Sequence, residues 1–362
     1  MHTPMERLQE FWGAPIPRSF AALYTTADGA ELGTVEFYPL GMLLGGHGRE
    51  PGMLPQFLPF ADTWDGEIAG FYVPATGDLA LCPVLLWDRE EDYYFPVALS
   101  FDTFLAWGLL VGLYLLNNEA EAPDEAVSEW RLILRRAGLP DHLLGEPVPQ
   151  NERELNERLA KKDIAGPAAI LHLAAAGIAQ GDLAGALRRL EDAEGAVPWF
   201  GDVHYLRAEA LARRSDEDAA LDEWLRTLAC LRCLATHTDR YDLGPDAPDE
   251  YIPLQAKKEI RKRLGMVRPD AAADPIWLAV TSPEDTEEAR FHLELAATYA
   301  RLGRSDAEER ELLNALTAAR DEAALSAAYE RLIAFYTAQN RPWEAERCRR
   351  DRDLLDRRRP LR

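Results

Sequence analysis

The chain has 362 residues, 40 basic and 62 acidic, for a net charge of −22, and 47% of it is hydrophobic. That apolar content excludes intrinsic disorder, and the length suffices for two domains with cores of their own. The charge argues against general nucleic-acid binding, because most of such a surface repels phosphates. Four cysteines are too few for a disulfide scaffold and point to a reducing compartment.

Taken in chain order, residues 1–10 contain His2, Glu6 and Arg7 but no apolar stretch of the secretory kind. Glu6 to Trp12 reads as a short helix with Leu8, Phe11 and Trp12 on one face, and Pro17 opens a second helix carrying Phe20, Leu23 and Tyr24. Asp28-Gly29 breaks the chain. Strand-like runs follow at Thr34–Tyr38, Phe57–Ala61, Glu67–Val73, Leu79–Trp87 and Tyr93–Leu99, each β-branched or aromatic and bounded by Gly, Pro or Asp. The last two are joined by Asp88-Arg89-Glu90-Glu91-Asp92, a charged hairpin connection. Ser100 is placed to cap a closing helix. The most apolar window, Phe104 to Leu116, is thirteen residues with Gly108 and Gly112 inside it, short of the ~20 that a bilayer span needs. A buried helix and a cytoplasmic protein without a membrane partner are therefore expected.

Composition changes near residue 150. Residues 1–150 hold 7 Arg, no Lys and 22 acidic residues, a net of −15, and 20 of the 33 aromatic residues; residues 151–362 net −7. The second part is rich in Ala, Leu, Arg and Glu, all strong helix formers. Helices around consecutive strands followed by helices alone predict an α+β N-terminal domain, a sheet flanked by helices, over residues 1–120. A helical linker over 121–165 and an all-α repeat domain over 166–362 complete the expected organisation.

The order Ile16-Pro17-Arg18-Ser19-Phe20, then Asp28-Gly29, Phe57-Leu58-Pro59-Phe60-Ala61, and Val97-Ala98-Leu99-Ser100-Phe101 with Phe104-Leu105 resembles the Smi1/Knr4 (SUKH) superfamily domain over roughly residues 5–116. The Gly41–Gly52 segment with Met53-Leu54-Pro55 is longer than the usual pattern. The resemblance implies a sheet flanked by helices. For bacterial members it implies an immunity protein of a polymorphic toxin system, which binds and blocks a toxin domain, often a nuclease. Fungal members imply the alternative, a regulatory scaffold or adaptor.

In the second part Gly181/Ser215, Asp182/Asp216, Ala186/Ala220, Leu190/Trp224 and Ala193/Thr227 are each 34 residues apart, the period of the tetratricopeptide repeat. Small Ala174 and Ala208 on first helices let Ala186 and Ala220 on second helices approach. Further units fit Leu295, Ala296, Tyr299, Gly303, Leu312 and Ala315, and then Leu332, Tyr336, Asn340, Trp343 and Ala345. These resemble degenerate tetratricopeptide repeats over about 166–355, interrupted from about Thr236 to Pro283 by an irregular connection with one helix, Gln255–Leu264.

Catalytic signatures are sparse. Gly41-Met42-Leu43-Leu44-Gly45-Gly46-His47-Gly48 lacks the Gly-Lys-Ser/Thr of a phosphate loop and reads as a flexible loop. Cys230-Leu231-Arg232-Cys233 has metal or redox spacing but sits in an apolar run, Leu225–Leu234, and reads as two buried thiols. The seven histidines form no His-Glu-x-x-His pair. The carboxylates Asp62, Asp65, Glu67, Asp88, Glu90, Glu91 and Asp92 read as solvated loops. An enzyme would need a pocket holding titratable groups of divergent pKa. No enzyme activity, cofactor or metal is expected.

Recognition of a protein partner remains. Trp64, Asp65 and Glu67, with Trp87, Asp88, Glu90, Glu91, Asp92 and Tyr93, either form an anionic patch that steers a basic toxin domain or are general solubilising charge. Stacked helix pairs leave a concave surface, where Asp202, Tyr205, Glu209 and Arg213 are expected to face a groove; packing the repeats as a plain scaffold is the other reading. Residues 347–362, with eight Arg and three Asp, read as a basic last helical turn.

Overall fold

The structure is a computed structural model that describes residues 2–74, 77–119, 123–161, 164–244, 249–263, 280 and 289–358. It divides into two compact units. One comprises Met1–Arg49, Gln56–Glu91 and Phe95–Leu173; the other comprises Glu50–Pro55, Asp92–Tyr94 and Ala174–Arg362.

In the first unit, α1 (Pro4–Trp12) starts from a capping box in which the Glu6 amide donates to Thr3 Oγ1 and the Thr3 amide donates to Glu6 Oε2. Helix α2 (Arg18–Thr26) begins directly after Pro17. A six-stranded meander follows, β1 (Glu31–Leu32), β2 (Val35–Phe37), β3 (Phe57–Thr63), β4 (Ile68–Tyr72), β5 (Val84–Asp88) and β6 (Tyr93–Ala98), hydrogen-bonded in sequence order. The pairs from β1 to β5 are antiparallel. Three details differ from the sequence expectation. The two-residue β1 lies ahead of the first expected strand run, Thr34–Tyr38. Leu79–Leu81 is a 3-10 turn capped by Asp78, so β5 starts only at Val84. The glycine-rich segment contains a short helix, α3 (Leu40–Leu44), because the Asp28 carboxylate accepts the Leu40 amide at 2.6 Å.

Ser100 caps α4 (Phe101–Glu119), its Oγ accepting the Thr103 amide. Phe20, Phe37, Phe60, Phe71, Phe101 and Phe104 are fully buried between α2, the sheet and α4, with neighbouring ring centroids 4.8–6.1 Å apart. Each buried ring contributes roughly 1.5–3 kcal/mol from area, and edge-to-face pairs about 1 kcal/mol more. Residues 123–161 are not an extended tether. Helix α5 (Pro123–Ala137) packs on α2 and α4, and α6 (Glu152–Leu159) sets Leu155 and Leu159 against Leu110 of α4.

The second unit is built from helices. Helix α7 (Pro167–Gln180) enters it and is followed by α8 (Leu183–Ala196), α9 (Gly201–Arg213), α10 (Glu217–Ala229), α11 (Ile252–Arg263), α12 (Ala289–Arg301), α13 (Ser305–Thr317), α14 (Glu322–Ala338) and α15 (Pro342–Arg358). Four consecutive pairs are closed by one device. Gly181, Ser215, Gly303 and Asn340 adopt left-handed backbone with φ of 83°, 64°, 67° and 55°. In each case the next amide reaches back five residues, from Asp182 to Gly177, Asp216 to Leu211, Arg304 to Tyr299 and Arg341 to Tyr336. This is the Schellman closure, which satisfies carbonyls left open at a helix end. Ala174, Ala186, Ala208 and Ala220 are fully buried where first and second helices meet. The Cys230–Cys233 segment lies outside a helix interior: α10 ends at Ala229, Cys230 caps it, and Cys233 falls in a 3-10 turn. Both thiols are free and buried.

One contact in the first unit is unusually tight. Gly33, at φ 65°, lies against α4 so closely that a Cβ there would sit 2.0 Å from the Gly108 carbonyl oxygen, while a Cβ on Gly112 would sit 2.5 Å from Gly33 Cα. Gly138 shares the left-handed backbone, at φ 67°, with open space around it. Gly138→Ala is therefore expected to cost about 1 kcal/mol. Gly33→Ala should cost at least about 2 kcal/mol more through overpacking. Urea unfolding of the two variants followed by circular dichroism checks the difference; equal midpoints would show that α4 yields to the added methyl.

Candidate functional site

The β1–β2, β3–β4 and β5–β6 connections all leave the same end of the meander, so turn residues far apart in sequence gather there. Trp64 is 45% exposed and its indole N–H donates to Glu31 Oε1 at 3.1 Å. Asp65 is exposed beside Gly66, and Glu67 is half-buried, accepting a hydrogen bond from the Thr63 hydroxyl. At the next turn the Asp88 carboxylate accepts the amides of Glu90 and Glu91 at 2.8 and 3.0 Å, which leaves the side chains of Glu90 and Glu91 exposed. Arg89 reaches Asp62 at 3.4 Å between the two turns. Trp87 is buried in the sheet. Asp92 and Tyr93 fold with the helical unit: Asp92 pairs with Arg320 at 2.8 Å, and the buried Tyr93 hydroxyl accepts from Arg240 at 2.9 Å.

Within the helical unit, α9, α10 and α11 enclose a cleft of about 840 Å³. Tyr205, Glu209 and Arg213 recur every four residues on α9 and line it together, facing Glu217 and Trp224 of α10 and Lys258, Glu259, Lys262 and Arg263 of α11. Asp202, one turn earlier, does not join them. It is fully buried and accepts the Thr236 amide, the Thr236 hydroxyl and the Tyr241 hydroxyl at 2.6–2.9 Å, which ties the irregular connection to α9. Burial pushes the Asp202 carboxyl up to about 6 against the pull of those hydrogen bonds.

Charges in the cleft are largely paired. Lys258 holds Glu250, Lys262 holds Glu259, and Arg263 bridges Glu217 and Glu259 at 2.6 Å each while lying 4.3 Å over the Trp224 ring. Burial raises Glu259, but Lys262 and Arg263 outweigh it and hold the carboxyl below its ordinary value. Glu209 goes the other way, raised by burial and then by the nearby Glu259 charge. Two carboxylates with opposite shifts are a pattern that acid–base chemistry uses. Here, however, Glu259 is bound by two cations and is not available as a base. Among the described residues, one imidazole and two carboxylates, from His237, Asp239 and Asp249, bring a donor atom each within 4.8 Å of one another, a mixed nitrogen and oxygen set of the kind that suits a borderline divalent ion. Both aspartates are exposed.

What fixes α10 against α9 is a buried ionic pair that the sequence reading passed over. His204 Nδ1 lies 2.9 Å from Glu223 Oε2, and His204 Nε2 lies 2.9 Å from the Pro198 carbonyl, with both side chains 6% exposed. A carbonyl only accepts, so Nε2 carries a proton; beside an ionised carboxylate Nδ1 carries one too, and the ring is an imidazolium. Burial pushes the ring down, but the neighbouring Cys230 sulfur, the Glu223 carboxylate and the Pro198 carbonyl outweigh this and raise it to about 10. The same pair recurs 88 residues on, His292 Nδ1 to Glu311 Oε2 at 2.8 Å, between helices α12 and α13 that match α9 and α10 in length and offset. The shared spacing of 19 residues between His and Glu was the signal available in the sequence.

Residues 5–107 match the model of the SMI1 / KNR4 family (SUKH-1), which spans the sheet and reaches into α4. The N-terminal domain is thereby assigned to that family; the helix pairs lie beyond the match. No curated protein matches the chain. Among the described residues no helix is long and apolar enough to cross a membrane.

Since the folded His204 pKa is raised, the pair's contribution is complete below the unfolded value near 6.5 and is lost as pH rises through about 10. His204→Gln is expected to lower stability at neutral pH by roughly 3–5 kcal/mol by leaving Glu223 buried without its partner. It should also flatten the decline of melting temperature between about pH 7 and 10. Thermal melts across that range check both; an unchanged slope in the variant would mean that the ring is neutral.

Proposed function

We propose that this is a non-catalytic binding protein of the immunity type, which captures and neutralises a basic toxin domain, a nuclease being one such target. The match of residues 5–107 to the SMI1 / KNR4 family (SUKH-1) carries this reading. The charge distribution supports it: residues 1–150 net −15 without a single Lys. Asp65, Glu90 and Glu91 stand exposed at one end of the sheet, with the exposed Trp64 among them. Such a rim offers a basic protein opposite charge for steering and an amphipathic ring for contact. The helix pairs, read as degenerate tetratricopeptide-like repeats, extend the surface for protein contact. A regulatory scaffold is the second reading, and the cleft between α9, α10 and α11 is the observation that favours it.

Co-expression with a toxin encoded by a neighbouring gene is the direct test. Protection of the cell is expected, with affinity for the purified toxin domain falling as salt rises. The triple substitution Asp65→Asn, Glu90→Gln, Glu91→Gln should weaken binding by at least about tenfold, mainly through slower association. Affinity indifferent to ionic strength would remove the role of the acidic rim. Absence of protection, together with recovery of several endogenous partners, would favour the scaffold.

A further inference from the structure

The cleft between α9, α10 and α11 contains four anionic and four cationic side chains, yet their pairing leaves one acid over. Lys258 is engaged by Glu250, Lys262 by Glu259, and Arg263 by Glu217 and Glu259. The Arg213 guanidinium donates to the Ile178 and Leu243 carbonyls at 3.1 and 3.0 Å. Glu209 makes no hydrogen bond and no ion pair with any described residue, although it is half-buried on the cleft wall. An ionised carboxylate withdrawn from water without a donor is costly, and the fixed charge of Glu259 nearby adds to the cost; the more distant attraction of Arg213, Arg263 and Lys262 offsets only part of it, and the carboxyl stays raised. Between these charges the cleft wall is completed by Ala179, Tyr205, Ala212 and Trp224. The Trp224 indole N–H also lacks a hydrogen-bond partner.

We propose that this cleft is a docking site for a lysine- or arginine-bearing segment of a partner protein, with the Glu209 carboxylate as counter-ion for the inserted cation. The geometry suits that occupant. Tyr205 and the alanines accept the methylene stem of a long basic side chain, and a head group reaching Glu209 replaces the donor that the fold does not supply. Its volume of about 840 Å³ exceeds one side chain, so several residues of a segment fit. An acidic occupant is disfavoured because the one cation without a carboxylate partner, Arg213, is already held by two carbonyls. The proposal goes beyond the immunity reading, since it concerns a site remote in sequence from the acidic rim and holds for any basic partner.

The experiment uses the full chain and three acetylated, amidated hexapeptides that differ only in two positions, filled by lysine, arginine or glutamate. Titration calorimetry is expected to show saturable one-to-one binding of the lysine or arginine peptide and none of the glutamate peptide. Glu209→Gln should weaken binding by at least about tenfold. The triple rim variant Asp65→Asn, Glu90→Gln, Glu91→Gln should change it less than about twofold, which separates this site from general attraction to a chain of charge −22. Thermal melting of Glu209→Gln should match or exceed the parent, because the carboxylate it replaces has no hydrogen-bond or ion-pair partner among the described residues. If that variant melts lower, Glu209→Asp, which withdraws the charge by one methylene, takes its place and should also weaken binding. The proposal is overturned by equal binding to the Glu209 variants, by loss of binding in the rim variant instead, by equal binding of the glutamate peptide, or by no saturable binding. None of these outcomes bears on toxin protection, so the two readings fail separately.

Discussion

A histidine held between a carboxylate and a carbonyl sets the geometry of the helical unit. His204 on α9 has both ring nitrogens committed, to Glu223 on α10 and to the Pro198 carbonyl ahead of α9. Glu223 in turn receives Arg207 and Arg226, and both arginines also contact Glu194 of α8. One network therefore spans three consecutive helices. Buried ion pairs add little net stability over apolar packing, but losing one partner is expensive, so a misaligned helix is penalised more than an aligned one is rewarded. The small alanines at the same contact permit close approach; the ionic pair selects the rotation and register at which it happens. The His–Glu contact recurs between α12 and α13 at His292 and Glu311, although His292 Nε2 has no hydrogen-bond partner among the described residues.

The position of α10 decides what the cleft becomes. Trp224 is buried with Arg263 of α11 stacked on its ring, and Arg263 closes on Glu217 and Glu259. Asp202 works at the N-terminal end of α9, where its three accepted hydrogen bonds hold the connection that leads into α11. Two acids on one helix thus do different work: Asp202 is buried and satisfied, while the half-buried Glu209 has no hydrogen-bond partner among the described residues and lines the cleft. Seven residues separate them, about two helical turns, so both could share a face in a bare helix. The packed connection claims one and leaves the other to the cleft.

In the N-terminal domain the corresponding constraint is steric. A cluster of phenylalanines fills the space between sheet and helices, and glycines at 33, 108 and 112 bring the first hairpin onto α4. The meander then delivers alternate turns to one end, which is how short acidic segments separated by more than twenty residues come to share a surface.

The sequence alone determined what depends on local spacing. The N-terminal domain showed in ordered proline, aspartate-glycine and phenylalanine positions, and the helix closures at Gly181, Ser215, Gly303 and Asn340 showed as equivalent points of a repeat, because a left-handed closing residue is a local demand on the chain. The strands were equally legible as β-branched or aromatic runs between Gly, Pro and Asp, apart from the two-residue β1 and from Leu79–Leu81, where Asp78 offered a competing cap. Tertiary structure alone decided which charges meet. The spacing of Tyr205, Glu209 and Arg213 placed them on one wall, but nothing in the order of residues says that Arg263 finds Glu217, that Asp92 is taken by Arg320, or that Asp202 is missing from that wall. Those outcomes depend on side chains brought together from distant helices, where the loss of water makes each pairing strong and each omission costly.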